Sequence, residues 1–183
     1  MEDLRIIKTK KAIKDAFIAE RKTKELNEIR VKTICENAII NKSTFYKHYT
    51  DIIDLSNKLQ EEAIDAFVDD FEHKDKIFSN PILFIKDFEK VLSKHFAYIY
   101  VLFKDDVSNE NIFKMLFKVK EKLFAVYEDF ASDTEKEILL SFVMSGTFQT
   151  LATIKFKQYK NENECYKKIE EIINIISEKY LKI

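Results

Sequence analysis

The sequence predicts an all-α protein, and three observations carry that prediction. Its 183 residues include a single glycine, Gly146, and a single proline, Pro81. Hairpins and phosphate-cradling loops draw on several glycines, so a sheet fold, a dinucleotide fingerprint and a P-loop are all excluded. Apolar residues also recur at helical spacing along almost the whole chain, and capping residues stand where the runs break. The pattern predicts about nine helices. They fall into a head of three helices at 1–50 and a larger helical-bundle body at 51–183, in which 51–71 forms a connector helix.

Thr9 is read as the cap of the first helix, whose buried stripe includes Ile13, Ala16 and Phe17. Glu20 and Arg21 interrupt that stripe, so the helix ends there or turns a polar side inward. A polar connector at 22–30 is anchored by Leu26 and Ile29. The second helix, Val31 to Ala38, buries Val31, Ile34, Cys35 and Ala38. Asn41 is a good N-cap for a third helix in which Phe45 points inward and Tyr49 closes the end. Asp51 opens the connector helix, and Asp54 in its first turn suits the positive end of the helix dipole. Leu55, Leu59, Ala63, Ala66, Phe67 and Phe71 continue it at helical spacing until polar residues 72–80 and Pro81 break it.

The helix expected at 81–104 carries Ile85, Phe88, Leu92, His95, Phe96, Ile99 and Phe103, with Phe84, Val91, Tyr98 and Leu102 on other sides. A helix apolar around its circumference is central to its domain. Another is expected at about 109–131, with Ile112, Leu116, Val119, Leu123 and Phe130 on its stripe and Phe113, Phe117 and Phe124 widening it. Ser132 and Glu135 have capping-box spacing for a helix running to about Tyr159. Asn161 and Glu164 repeat that spacing for a last helix bearing Ile169, Ile172, Ile173, Ile176 and Tyr180.

Charged residues make up 34% of the chain and apolar residues 46%. No apolar run approaches the ~20 residues that span a bilayer. Glu2 and Asp3 with no following apolar region argue against a signal peptide, so a cytoplasmic protein with no membrane partner is expected. Cys35 and Cys165 lie far apart in helical patterns and read as ordinary thiols of a reducing compartment. His48, His73 and His95 have no metal-ligand spacing, and neither cysteine has a histidine nearby in sequence. No metal, cofactor or catalytic residue is therefore expected, and the chain is not read as an enzyme. The net charge is −1, but residues 1–50 hold 12 Lys and Arg against 7 Asp and Glu, a balance of +5. The remainder holds 19 against 25, a balance of −6. A basic head on an acidic body is expected where only the head approaches phosphates.

The segment Asn41 to Tyr49 mixes hydroxyls, cations and an aromatic on one exposed face. A short amphipathic helix precedes it by a tight turn, and two such helices make a helix-turn-helix, which points to duplex DNA as the partner. Lys10 and Lys11 at the start of the first helix and Lys32 early in the second are candidates for phosphate positioning. Cations near a helix N-terminus are not intrinsically favoured there, which supports an external anion. A solvated helix face is the plain alternative for each.

From Ile13 to Leu55 the chain resembles the TetR family of bacterial transcriptional regulators without needing a gap. The residues that match are Ala16-Phe17, Val31, Ile34-Cys35, Ala38, Ile40, Ser43-Thr44-Phe45-Tyr46, His48-Tyr49 and Leu55. In the body, Phe142-Val143-Met144-Ser145-Gly146 is similar to a stretch of that family's penultimate helix. The resemblance implies that Lys42, Ser43, Thr44 and Tyr46 lie at the major groove and that Lys47 and His48 lie toward the backbone; Asn41 is a further candidate for DNA binding. Lys42 would donate to guanine O6 and N7, and Tyr46 would offer a ring to a thymine methyl group. Three departures stand out: Ile39 where the family usually has glycine, Arg30 in place of a capping threonine, and Ile52 in place of a lysine.

Phe88, His95, Phe96, Tyr98, Phe113, Phe117 and Phe148 are candidates to line an apolar cavity for a small-molecule effector, or else form a packed core. Ser141, Ser145, Gly146 and Ala152 are small enough to let helices approach closely, as in a four-helix bundle shared by two subunits. The expected dimer face comprises Phe142, Ser145, Gly146, Ile169, Ile172, Ile173 and Ile176, with packing inside one subunit as the alternative. Taken together, these features imply a homodimeric repressor of palindromic operators. The rival is a helical adaptor of the same fold that acts through protein contacts without DNA.

Overall fold

A computed structural model of the chain describes residues 4–104, 117, 119–122, 125, 133–157 and 161–181, without the side chains of 152, 155–157 and 181. Helix is the only regular secondary structure among them, so the protein is all-α. The longer elements are α1 (Leu4–Arg21), α2 (Val31–Asn37), α3 (Lys42–Tyr46), α4 (Ile52–Asp69), α5 (Pro81–Phe103), α6 (Thr134–Lys157) and α7 (Glu162–Ile176). A 3-10 turn at Leu26–Glu28 follows α1, and a π-turn at Ser177–Leu181 ends the described chain. The helix expected at 109–131 lies mostly outside the described residues, as does Phe113; residues 117 and 119–122 are helical.

Several helix ends differ from the sequence expectation. α1 starts before Thr9, whose hydroxyl instead donates to the Arg5 carbonyl at 2.8 Å inside the helix. A threonine can bond the carbonyl four residues back without ending a helix, so its capping talent goes unused here. At α6 the capping oxygen is Asp133 Oδ1, which accepts from the N–H groups of Glu135 at 3.0 Å and Lys136 at 3.3 Å. Ser132, the residue expected in that role, lies outside the described residues. Asn161 precedes α7 but its side chain caps nothing, and its Nδ2 donates to Glu164 Oε2 at 3.0 Å. Pro81 opens α5 in the first turn, where its missing N–H costs nothing. The 72–80 connection is not wholly polar, for Ile77 and Phe78 are both buried.

The chain divides into two compact units, Met1–Asp65 with His95–Ile112, and Ala66–Lys94 with Phe113–Ile183. In the first unit Ile13, Phe17, Ile34, Phe45 and Leu55 are fully buried, and so is Arg21. Arg21 Nη1 donates to the Lys24 carbonyl at 3.0 Å and Nη2 to the Leu102 carbonyl at 3.5 Å. Gln60 Nε2 donates to the same Leu102 oxygen at 3.2 Å. Leu102 sits in the last turn of α5, where carbonyls commonly take donors from outside the helix, and the two side chains supply them. The polar interruption at Arg21 thus both ends α1 and points inward.

In the second unit an aromatic cluster forms the core. Phe88 and Phe148 stack with ring centroids 4.5 Å apart, and Phe71 lies 4.9 Å from Phe84. Leu140, Val143, Met144, Leu151 and Ile154 on α6 and Tyr166, Ile169 and Ile173 on α7 complete it. Burial together with Glu89 beside it pushes the Tyr166 phenol well above its usual range, so it stays neutral at physiological pH.

Candidate nucleic-acid interface

Two short helices, α2 and α3, are joined by residues 38–41 with a backbone that the sequence makes difficult. Ile39 has φ of 54°, the one positive φ among the described non-glycine residues. Its N–H donates to the Glu36 carbonyl at 3.2 Å, and the Ile40 N–H to the Cys35 carbonyl at 3.0 Å. These are the paired bonds of a Schellman helix end, built here with isoleucine where glycine is usual. The turn is therefore kept rather than rearranged, at a strain of about 1–2 kcal/mol. Ile39 is 92% exposed, so its side chain returns little of that cost by burial. Ile39→Gly is accordingly expected to stabilise the first unit by about 0.5–1 kcal/mol once the flexibility of glycine in the unfolded chain is deducted. Denaturant unfolding of the two proteins would measure it, and a loss of stability would show that Ile39 holds a contact elsewhere.

The third helix is only five residues long, and its fold is held by its ends and one ring. Asn41 Oδ1 accepts from the Thr44 N–H at 2.8 Å, the Ser43 hydroxyl at 2.6 Å and the Thr44 hydroxyl at 2.8 Å. The expected N-cap is thus present, and it also orients both hydroxyls; the Asn41 Nδ2 amide takes no part in it. Phe45 is fully buried and Tyr49 nearly so, with ring centroids 5.6 Å apart. Burial and nearby carboxylates push the Tyr49 phenol up to about 12, keeping it neutral. Lys42, Ser43, Tyr46 and Lys47 are exposed, while Thr44 and His48 are half-buried. One edge of the helix therefore seals the core and the other presents two cations, a hydroxyl and an aromatic.

The start of α4 is tied back to this segment through Asp51 and Asp54, both expected there, and through Thr50 and Lys58, which sequence reasoning missed. Asp51 Oδ1 accepts from the Asp54 N–H at 2.7 Å, and Asp54 Oδ2 from the Thr50 N–H at 2.9 Å. The Thr50 bond, with Lys58 beside it, holds the Asp54 carboxyl below its usual range. Lys58 Nζ bonds Asp54 at 3.0 Å and the His48 carbonyl at 3.2 Å, and sits 5.4 Å from the Tyr49 ring centroid. The i, i+4 spacing of Asp54 and Lys58 was the signal available for it. Ile52, at the position where a lysine was expected from the resemblance, is buried.

The other predicted contacts come from different helices. Lys10 is exposed on α1, and Lys32 is exposed on α2, 3.8 Å from Glu36. Arg30 stands at the N-cap of α2 without capping it, its Nη1 donating to the Asn27 carbonyl at 2.7 Å. Cys35 is buried, and that burial pushes its thiol up, away from reactive thiolate.

The residues proposed for an effector cavity do not share one unit. Phe88 and Phe148 belong to the core of the second, whereas His95, Phe96 and Tyr98 fall in the first. Phe96 stacks on Tyr100 at 6.0 Å, and Lys14 Nζ lies 5.0 Å above the Tyr98 ring. Phe117 is 54% exposed beneath Lys120. Of the residues proposed for a dimer face, Ile169 and Ile173 are buried within the chain, Ile176 is half-buried, and Phe142, Ser145, Gly146 and Ile172 are exposed. No protein-family model and no curated protein matches the chain.

Proposed function

We propose that the protein is a homodimeric, TetR-like transcriptional regulator, most simply a repressor, that binds palindromic duplex DNA through a helix-turn-helix head at 1–50. The observation that carries this reading is the arrangement of α2, the Ile39 turn and α3. Phe45 and Tyr49 face inward, leaving Lys42, Ser43, Tyr46 and Lys47 on an exposed edge of a short capped helix. A helix of this kind fits the major groove, with Lys42 at base edges and Lys47, Lys32, Lys10 and His48 toward phosphates. The body at 51–183 dimerises and either accepts an effector or docks a protein; an effector releases DNA only if it binds the DNA-incompetent arrangement more tightly.

Dimerisation is supported by the character of α6. It buries Leu140, Val143, Met144 and Phe148, yet Ile138 is 63% and Phe142 69% exposed. On α7, Ile172 and Ile175 are likewise 51% and 61% exposed. Among the described residues, no atom outside its own stretch of helix backbone lies within 4 Å of where a Cβ on Gly146 would sit, so their packing does not require glycine there. A helix with apolar residues on both sides has a second surface to cover.

An electrophoretic shift with DNA from the promoter beside the gene tests the reading, and absence of sequence-dependent retardation across a range of salt would overturn it. Within that assay, Lys42→Ala is expected to cost about 1–3 kcal/mol at the cognate site and to relax preference at one base pair per half-site. Lys47→Ala should instead weaken all DNA similarly and shallow the salt dependence. Uniform weakening by both would move Lys42 to the phosphates. The rival adaptor reading draws on Ile39 and Ile52, the two departures that weaken the expected head chemistry. Ile39 adopts the φ that the turn needs, whereas Ile52 is buried and brings no cation to a phosphate, so Ile52 still counts for the rival.

A further inference from the structure

Two carboxylates and an imidazole converge where the segment after α4 meets α5. His73 Nδ1 lies 3.4 Å from Asp87 Oδ2, and the ligand atoms of Glu72, His73 and Asp87 all fall within 4.8 Å of one another. The Asp87 side chain is only 4% exposed, and its Oδ2 accepts from the His73 backbone N–H at 2.7 Å. The imidazole does not share in that bond. Its Nδ1 is cut off from solvent and has no hydrogen-bond partner among the described residues. Leaving a ring nitrogen buried and unpaired is costly, and native interiors rarely tolerate it.

An imidazolium paired directly with the carboxylate would align its N–H on an oxygen at about 2.7–2.9 Å. The observed 3.4 Å is longer. It equals the edge of a tetrahedron whose centre stands 2.0–2.1 Å from each ligand, about 3.3–3.4 Å, as around zinc. An octahedral magnesium site with similar bond lengths would bring neighbouring ligands to about 3.0 Å and would take oxygen rather than nitrogen. The cations adjacent in sequence are engaged elsewhere, Lys74 on the Val68 carbonyl at 3.3 Å and Lys76 on Asp75. The backbone N–H of His73 already fixes the carboxylate, as an outer-shell donor does in metal sites.

We propose that Glu72, His73 and Asp87 bind a zinc-like divalent ion, His73 through Nδ1, Asp87 through Oδ2, and exposed Glu72 by swinging onto the ion. Water completes the tetrahedron, and the ion staples the 72–80 connection to α5. Histidine and cysteine spacing gave no hint of it, because His73 and Asp87 stand 14 residues apart and only the fold joins them.

The test needs no DNA. The full chain, stripped with a chelator, is titrated with zinc chloride by calorimetry and melted with and without zinc. One ion per chain should bind, and at 100-fold excess over the dissociation constant the melting temperature should rise by about 5 °C or more. Glu72→Gln and His73→Gln, both at solvent-reaching positions, should each weaken binding by about tenfold or more while circular dichroism stays unchanged. Failure of the unsubstituted chain to bind zinc, or wild-type affinity in either variant, would overturn the site.

Discussion

Replacing Phe142 and Ile172 together by glutamate is expected to give a folded monomer whose affinity for a full operator is reduced about 100-fold or more. Both side chains are exposed in the single chain, so glutamate there meets water and should leave the subunit intact. In a dimer seam the same carboxylates would be buried without partners, which strongly disfavours association. Each half-site would then be bound as a separate event, and the gain from tethering two heads would vanish. Mass in solution and binding to half and full operators should be measured on the same preparations. Half-site affinity is expected to hold while full-operator affinity collapses. A monomer that retained wild-type affinity for the full operator would remove dimerisation from the mechanism.

Phe45→Ala should be among the most damaging single changes to the first unit, costing about 3–5 kcal/mol. The ring is fully buried and contacts both Tyr46, at 5.5 Å and edge-on, and Tyr49. A five-residue helix has no stability of its own, so losing this anchor removes the reason for α3 to be helical. Phe45→Leu keeps most of the volume and should cost less than about 1.5 kcal/mol. Denaturant unfolding of the pair, followed by helical circular dichroism, would check both values. A loss below about 1 kcal/mol for alanine would mean that the surrounding side chains collapse into the space.

What could be read in the sequence follows from how local each decision is. The Asn41 cap, the inward Phe45 and the start of α4 near Asp51 depend on neighbours within a few residues, and local pattern exposes them; the burial of Tyr49, expected only to close the helix, came from the structure. Thr9 and Asp133 show the limit of that signal. Several oxygens near a helix start can cap it, and which one does is settled by backbone geometry that spacing does not record. The inward turn of Arg21 was open as one of two readings, but its partner at Leu102 is 81 residues away and invisible to any local pattern. At the candidate interface the placement of Lys42, Ser43, Thr44 and Tyr46 came from the family resemblance, and Thr44 is half-buried rather than exposed. The engagement of Ser43 and Thr44 by Asn41 and the hold of Lys58 on the His48 carbonyl required coordinates.

The division of labour within α3 has a consequence for how such a surface can change. Folding rests on Asn41, Phe45 and Tyr49, with Tyr46 edge-on against Phe45, whereas Lys42 and Lys47 are exposed. Exposed substitutions away from caps and buried contacts usually alter stability by less than about 0.5 kcal/mol. These two positions therefore form an interchangeable alphabet on a constant frame. A lineage could rewrite them one at a time, passing through folded intermediates at every step, and acquire a new preference without ever rebuilding the helix that displays it.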